Sequence, residues 1–469
     1  MGHVVGSVGL QQPHPSDSPH RLAGIGTFLE RFTATTDSST ALPNAVSDKA
    51  RLMLLDTVAC MLAARNSPEV LGLESQLSIM DAGSFHFPGG KPLSNLGAAA
   101  VGAMAATWDE ACEGLALAHG RPGVPVIAAL LPQAVSADAQ LESLLHSIVA
   151  GYEVGARAGA WLRIQPGMHV DGNWPSLGVA SAVSDLLGLP LAARLTALDI
   201  AACQLPTSLY LPVASGANAR NTYLSHSAWL GVLAATAAAA GVNAPDDALP
   251  HYAEKFSAAV EEPSFAADRF LILDAYLKPH AAVRHVHFGA EAARLLRRRL
   301  PGGAETTGIT AMHLSVYREA MTYCGNRHPR QPIQAQFSLS FGIAAALVHG
   351  GIEAGVYREE NFNAPELRRL EALVQIEADE PLTAAGARGA TLVVEAAGQR
   401  LEQTVGAIKG DPELPMTEEE VREKFLRYAA GCVEAASAQR FAEAVLHGPS
   451  GLGMRELWGL LEYRGRTRP

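Results

Sequence analysis

Charge is scarce in this chain. Asp, Glu, Lys and Arg make up 18% of the 469 residues against 48% hydrophobic. That balance excludes a disordered or collagenous polypeptide and leaves ample material for large buried cores in two or three domains. Cysteine is scarcer still. Cys60, Cys112, Cys203, Cys324 and Cys432 contain no C-x-x-C pair and cannot all pair with one another. A disulfide scaffold and a structural zinc site are therefore not expected, and free thiols fit a reducing cytosol. Long apolar runs are missing too: Trp229 to Val242 (WLGVLAATAAAAGV) falls short of the ~20 residues a membrane span needs. Being mostly Ala, it reads as a tightly packed helix. The net charge of −11 leaves no electrostatic footprint for nucleic acid, although a few cations gathered in a pocket can still hold an acidic small molecule. The first twenty residues carry three His and three Pro but no cationic start followed by an apolar core. Residues 1–22 are thus expected to form a disordered tail, and the protein is expected to be soluble and cytoplasmic, with no membrane partner.

What is there reads as mainly α with a smaller α+β part. Apolar residues recur at helical spacing around Leu52, Leu55, Val58 and Leu62. Val126 to Leu162 is helical with an interruption near Ser136, and Pro175 to Leu187 and Leu191 to Leu205 follow behind prolines. After about Asp268 the character changes. Gly308 to Tyr317 and Ala372 to Ala378 read as strands, Ala390 to Val405 as two strands turning near Gly398, and Ser338 to His349 as an apolar helix between them. Thr417 and Glu420 form a capping box that restarts the helices. The expected organisation is a discontinuous all-helical domain (23–267 and 411–469) with an inserted α+β lid domain (268–410), and ligand clefts favour such junctions.

Three polar stretches stand out at helix ends: Trp108 to Glu113 with His119 to Pro122, Gly167 to Trp174, and Lys278 to His287. His285-x-His287 places two imidazoles on one side if the segment is extended, a metal half-site that is common by chance; no metal is expected. There is no H-E-x-x-H, no G-x-G-x-x-G after a strand, no P-loop and no G-x-S-x-G. What remains is acid–base chemistry by Asp, His and Lys, with Arg to hold anions.

The same stretches resemble the MmgE/PrpD family, which includes 2-methylcitrate dehydratase, cis-aconitate decarboxylase and iminodisuccinate epimerase. The likeness runs from about residue 45 to about 450. Leu54 to Cys60 (LLDTVAC) is similar to the family's early helix, and Asp109 with His119 to its D-x-D-D…H-P segment. Gly167-Met168-His169 with Gly172-Asn173-Trp174 resembles its G-(F/W)-H-x-T-G-x-W loop, and Gly216 to Tyr223 (GANARNTY) its basic loop. Lys278 to His287 resembles K-P-Y-A-x-C-R-H-x-H, and Gln336 to Leu339 (QFSL) opens a lid helix. The family's D-x-D-D-T becomes Asp109-Glu110-Ala111-Cys112-Glu113, losing two acids and gaining Glu113 where Thr is usual. Val283 stands at a decarboxylase His and Phe341 at a lid Tyr.

The resemblance implies a cofactor-independent homodimer enclosing a site between a helical domain and a lid. It implies His169, Lys278, His119 and Asp109 as catalytic residues. It also implies Arg220, where other members carry a Lys, and Arg284 as anion holders, with Glu113 and His280 completing the substrate-binding set. The expected activity is a lyase, of dehydratase or decarboxylase type, on a small di- or tricarboxylic acid through a carbanion-like intermediate. The alternatives are an epimerase or isomerase of a substituted dicarboxylate and a non-catalytic carboxylate-binding paralogue. A carboxylate at Glu113 would repel a substrate carboxylate unless protonated or salt-bridged.

Overall fold

The computed structural model describes residues 23–37, 41–257, 261–266, 268–301 and 305–461. The expected tail, 1–22, lies outside them. The helical layer is built around Asn44–Ala63, which starts directly after Pro43 and buries Leu54, Leu55, Val58 and Leu62. Asn95–Thr107, Glu418–Ala429 and Ala435–His447 pack around it. The interruption near Ser136 is real: Gly123–Ala137 ends at Asp138, whose φ of 53° closes the helix before Leu141–Trp161 begins.

Small residues decide how closely these helices approach. Leu141–Trp161 crosses Pro175–Leu186 where Gly151 meets Gly178. A Cβ on Gly151 would fall 2.7 Å from the Gly178 carbonyl oxygen, so a larger residue would push the backbones apart. Tyr223–Ala239 packs against Pro175–Leu186, Asn95–Thr107 and Leu191–Ala202. Its buried side chains include Ala228, Ala234 and Ala235, which accounts for the alanine-rich run in the sequence. No helix among the described residues is long and apolar enough to cross a membrane.

The smaller α+β part, expected above as the lid and called so below, is built on a four-stranded mixed sheet. Ile309–Val316 lies in the interior, parallel to Val374–Ala378 and antiparallel to Ala390–Ala396, which pairs in turn with Gln399–Val405. Ile309, Met312, Leu314 and Val316 are buried. The helices Arg284–Arg297, Leu339–His349 and Pro365–Leu373 all pack in this part of the molecule. The hairpin turns at Ala397 and Gly398, both with positive φ (49° and 75°), the requirement of the tight turn that suits twisted strands. Thr417 and Glu420 form the expected reciprocal cap, and Glu418–Ala429 then returns to the helical layer.

Two local expectations change. His285 and His287 lie in the first turn of the helix Arg284–Arg297 rather than on an extended segment. Two residues apart, they point in different directions and do not form a half-site. The turn Leu271–Asp274, placed with the lid on sequence grounds, packs against Leu141–Trp161 and Asn44–Ala63.

Candidate active site

A non-helical segment, 276–283, which bends at 279–282, runs between the helical layer and the lid and is tied to both. Tyr276 exchanges backbone hydrogen bonds with Gly114 (3.1 and 2.9 Å), Leu277 N–H donates to Gly410, Ala281 N–H to Ile352 and Val283 N–H to Gln336. Lys278 lies within this segment, 3% exposed. Its Nζ donates to Glu110 Oε1 (2.8 Å) and to the Glu110 carbonyl (3.0 Å).

Glu110 belongs to the loop that follows Asn95–Thr107. It and His119, on the same loop, are non-glycine residues held in the left-handed region, at φ 54° and 53°. Such conformations persist only where surrounding contacts enforce them, and they cluster at functional sites. The Glu110 side chain meets three cations. Besides Lys278, Arg121 approaches Oε2 at 3.1 Å and Arg220 pairs with the same oxygen. Burial alone would raise the Glu110 carboxyl, but Arg121, Arg220 and Lys278 pull it well below the usual carboxylate range.

Asp171 extends the cluster. Its carboxylate lies 3.3 Å from Arg121 Nε and 3.6 Å from Arg220. Arg220 sits in the turn Asn218–Thr222 and also donates to the Thr107 carbonyl (3.3 Å) and Asn221 (3.1 Å), while its Nε is buried and has no hydrogen-bond partner among the described residues. His169 enters from a two-residue ladder, Met168–His169 against Ser208–Leu209. The backbone N–H of Asp171 donates to His169 Nδ1 (3.2 Å). With Nδ1 accepting, the neutral ring carries its proton on Nε2. Burial pushes the imidazole down to about 4, with Asp171 opposing and Arg220 assisting. The ring is therefore neutral at pH 7. A cavity of about 220 Å³ reaches His169 and is lined also by Arg163, Gln165, Ser208, Tyr252 and Lys255.

The other expected residues take different positions. Asp109 is clamped by both guanidinium nitrogens of Arg358 (3.0 and 2.9 Å), a lid residue, and so fixes the lid to the motif loop. His119 is exposed and feels Arg163 on one side and Glu319 and Arg388 of the lid on the other, at the rim between the two parts. Arg284 is ion-paired with Asp411 and donates to the Lys409 carbonyl (3.3 Å). His280 accepts from Ile352 N–H (3.3 Å) and lies 3.8 Å from Glu291. The structure thus gathers His169, Lys278 and Arg220 around one buried point and leaves Arg284, His280 and His119 outside that cluster.

Glu113 has a structural partner set. Its Oε1 accepts from Gly123 and Val124 N–H (2.8 and 3.2 Å), the open end of the helix Gly123–Ala137. Burial nevertheless raises the carboxyl from 4.5 to about 7, the two backbone donors opposing. A carboxyl raised on folding binds its proton more tightly in the native state, so its contribution favours folding at low pH and is lost as pH rises from 4.5 through 7. Glu113→Gln keeps the acceptor and removes the titration. Urea unfolding of the variant is expected to lack a loss of about 3 kcal/mol that the native protein shows between pH 4.5 and 7; parallel profiles would refute this.

Sequence reasoning passed over Glu110, Arg121 and Asp171, although all three lie inside the polar stretches it picked out. It also missed Lys424, which donates to Asp56 (2.6 Å) and to the carbonyls of Ala111 (2.7 Å) and Lys278 (2.9 Å). Its signal was present: Val421, Lys424, Phe425 and Tyr428 share one helix face, so the lysine falls on an apolar stripe. Among the described residues, no group of three or more His, Cys, Asp or Glu is placed to hold a metal ion.

This geometry is a buried cluster of three cations and two carboxylates beside a neutral histidine, held between a helical layer and an α+β part. The chain matches the MmgE/PrpD N-terminal domain over residues 29–265 and the MmgE/PrpD C-terminal domain over residues 280–447, and it belongs to the MmgE/PrpD family, which is dehydratase- and lyase-like. No curated protein matches it. The C-terminal match ends in the helices that pack back on Asn44–Ala63.

Proposed function

We propose that the protein is a cofactor-independent lyase acting on a small di- or tricarboxylic acid, working as a homodimer. The observation that carries the reading is the convergence of Arg121, Arg220 and Lys278 on one buried carboxylate position beside a neutral histidine. Removal of a proton α to a carboxylate, or loss of CO2, places extra negative charge on that carboxylate. Fixed, desolvated cations stabilise charge most where it develops. Lys278 and Arg220 are the groups for this role, and Arg220 Nε is a spare donor for it. His169, with its proton on Nε2, hydrogen-bonds the β-hydroxyl or the carboxylate on which charge develops and keeps that proton; the proton removed from the α-carbon passes to the neutral ring of His119 and from there to the departing hydroxyl, which leaves as water. His119, whose ionisation is lowered by partial burial and by Arg163, is the second acid–base group, at the rim. Asp109 acts through Arg358 by keeping the lid seated.

Proton NMR in D2O with a panel of hydroxy- and amino-substituted succinates, 2-methylcitrate and cis-aconitate tests this. Loss of water or CO2 from one of them is the expected result. Deuterium incorporation into an intact skeleton would replace the lyase with an epimerase. Binding without either would leave a non-catalytic carboxylate-binding protein.

A further inference from the structure

The position that a substrate carboxylate would take is already occupied by a carboxylate of the chain. Glu110 receives Lys278, Arg121 and Arg220 at once, all five residues of the cluster (these four and Asp171) being at most 8% exposed. The charge balance is therefore fixed by the protein. Three cations face two anions, Glu110 and Asp171, which leaves one positive charge uncompensated in a site sealed from water. The remaining nearby charges are spent or neutral: Arg358 is spent on Asp109, Lys424 on Asp56 and Arg284 on Asp411, and Glu113, which also feels Arg121, is raised to about 7 and is mostly protonated on the acid side of that, where the surplus holds. His169 is neutral.

We propose that Glu110 is a specificity-determining residue that limits the acid taken by this site to one buried carboxylate, so that the substrate is a dicarboxylate and not a tricarboxylate. This rests on the carboxylate-handling reading above and narrows it. One carboxylate matches the single surplus charge and the unpartnered Arg220 Nε. The second carboxylate of a dicarboxylate lies at the rim or in the cavity beside His169, where Arg163 and Lys255 stand in contact with solvent. A second carboxylate drawn into the cluster itself would be buried against Glu110 and Asp171 with no cation left to meet it. Burying an uncompensated charge is strongly unfavourable.

Glutarate and tricarballylate share a three-carbon backbone and differ by one carboxylate, and neither carries a leaving group. Titration calorimetry of both on the intact protein isolates charge from turnover. The native protein is expected to bind glutarate at least about tenfold more tightly than tricarballylate. Glu110→Gln is expected to raise tricarballylate affinity by about tenfold or more and to erase or reverse that order, since it removes one buried negative charge. Glu110→Asp keeps the charge and is expected to keep the native order. Tighter tricarballylate binding by the native protein would overturn the proposal even if Glu110→Gln fails to fold, as would an unchanged order in a folded Glu110→Gln. Absence of binding of either acid to any of the proteins would instead overturn the carboxylate-site reading itself.

Discussion

Lys424→Met is expected to lower stability by about 3–5 kcal/mol, read as a fall in the unfolding midpoint in urea and on heating. The lysine and Asp56 are both fully buried, and their ion pair is 2.6 Å long. Methionine fills similar space but leaves Asp56 with a charge it cannot keep. Burial already raises that carboxyl, and Lys424 is the main group opposing the rise. Two carbonyls, Ala111 and Lys278, lose their donor as well, each at a cost of about 1–3 kcal/mol when a buried group is left unpaired. Adding Asp56→Leu should recover part of the loss, because the pair is then replaced by apolar groups, but not the part due to the carbonyls. Equal midpoints for the native and Lys424→Met proteins would remove this account. The effect also reaches the site, since Lys424 holds the backbone of Lys278 and of the loop that carries Glu110.

The helices and strands of this fold were legible because their signals are local. Leu52 to Leu62, the capping pair Thr417 and Glu420, and the alternation in Ile309 to Val316 each report their own element, and each lies where the sequence places it. The site was legible only in its contributors. The reading of Lys278, His169 and Arg220 rested on motif resemblance, and the three meet around one point because three separate loops are tied together by long-range hydrogen bonds. The pairing of Glu110 with three cations spans residues 110, 121, 220 and 278 and leaves no periodic trace. Neither does the clamp between Asp109 and Arg358, separated by 249 positions. Glu113 shows a different limit of the sequence. Its chemistry suggested a ligand group, yet its surroundings are the amide ends of a helix. Two carboxylates three residues apart are thus divided by environment: Glu110 sits among cations and stays ionised, whereas Glu113 sits among amides and apolar groups and titrates near neutrality.

His169→Ala is expected to reduce the turnover found in the NMR screen by about 10²–10⁴-fold, the usual contribution of a positioned acid–base group, with the unfolding midpoint little changed. The ring's fixed tautomer makes a sharper test possible. Because Asp171 N–H occupies Nδ1, Nε2 is the nitrogen left for the proposed reaction, and it is a donor. His169→Gln can supply an N–H near the same place, so it is expected to retain more activity than the alanine variant, mainly in kcat. The pH profile should distinguish this role from that of an ordinary imidazole. Burial has moved the ring to about 4, so it stays neutral throughout pH 5 to 9. Activity should then show no inflection from His169 near 6.5, and a limb belonging to it should appear only as pH falls toward 4. Lys278→Ala separates binding from chemistry. If Lys278 stabilises charge that grows on the substrate carboxylate, kcat and kcat/KM fall together; a rise confined to KM would mean that it holds substrate and transition state equally. Retention of full activity by His169→Ala would exclude its role as donor and leave Lys278 and His119 to move the protons.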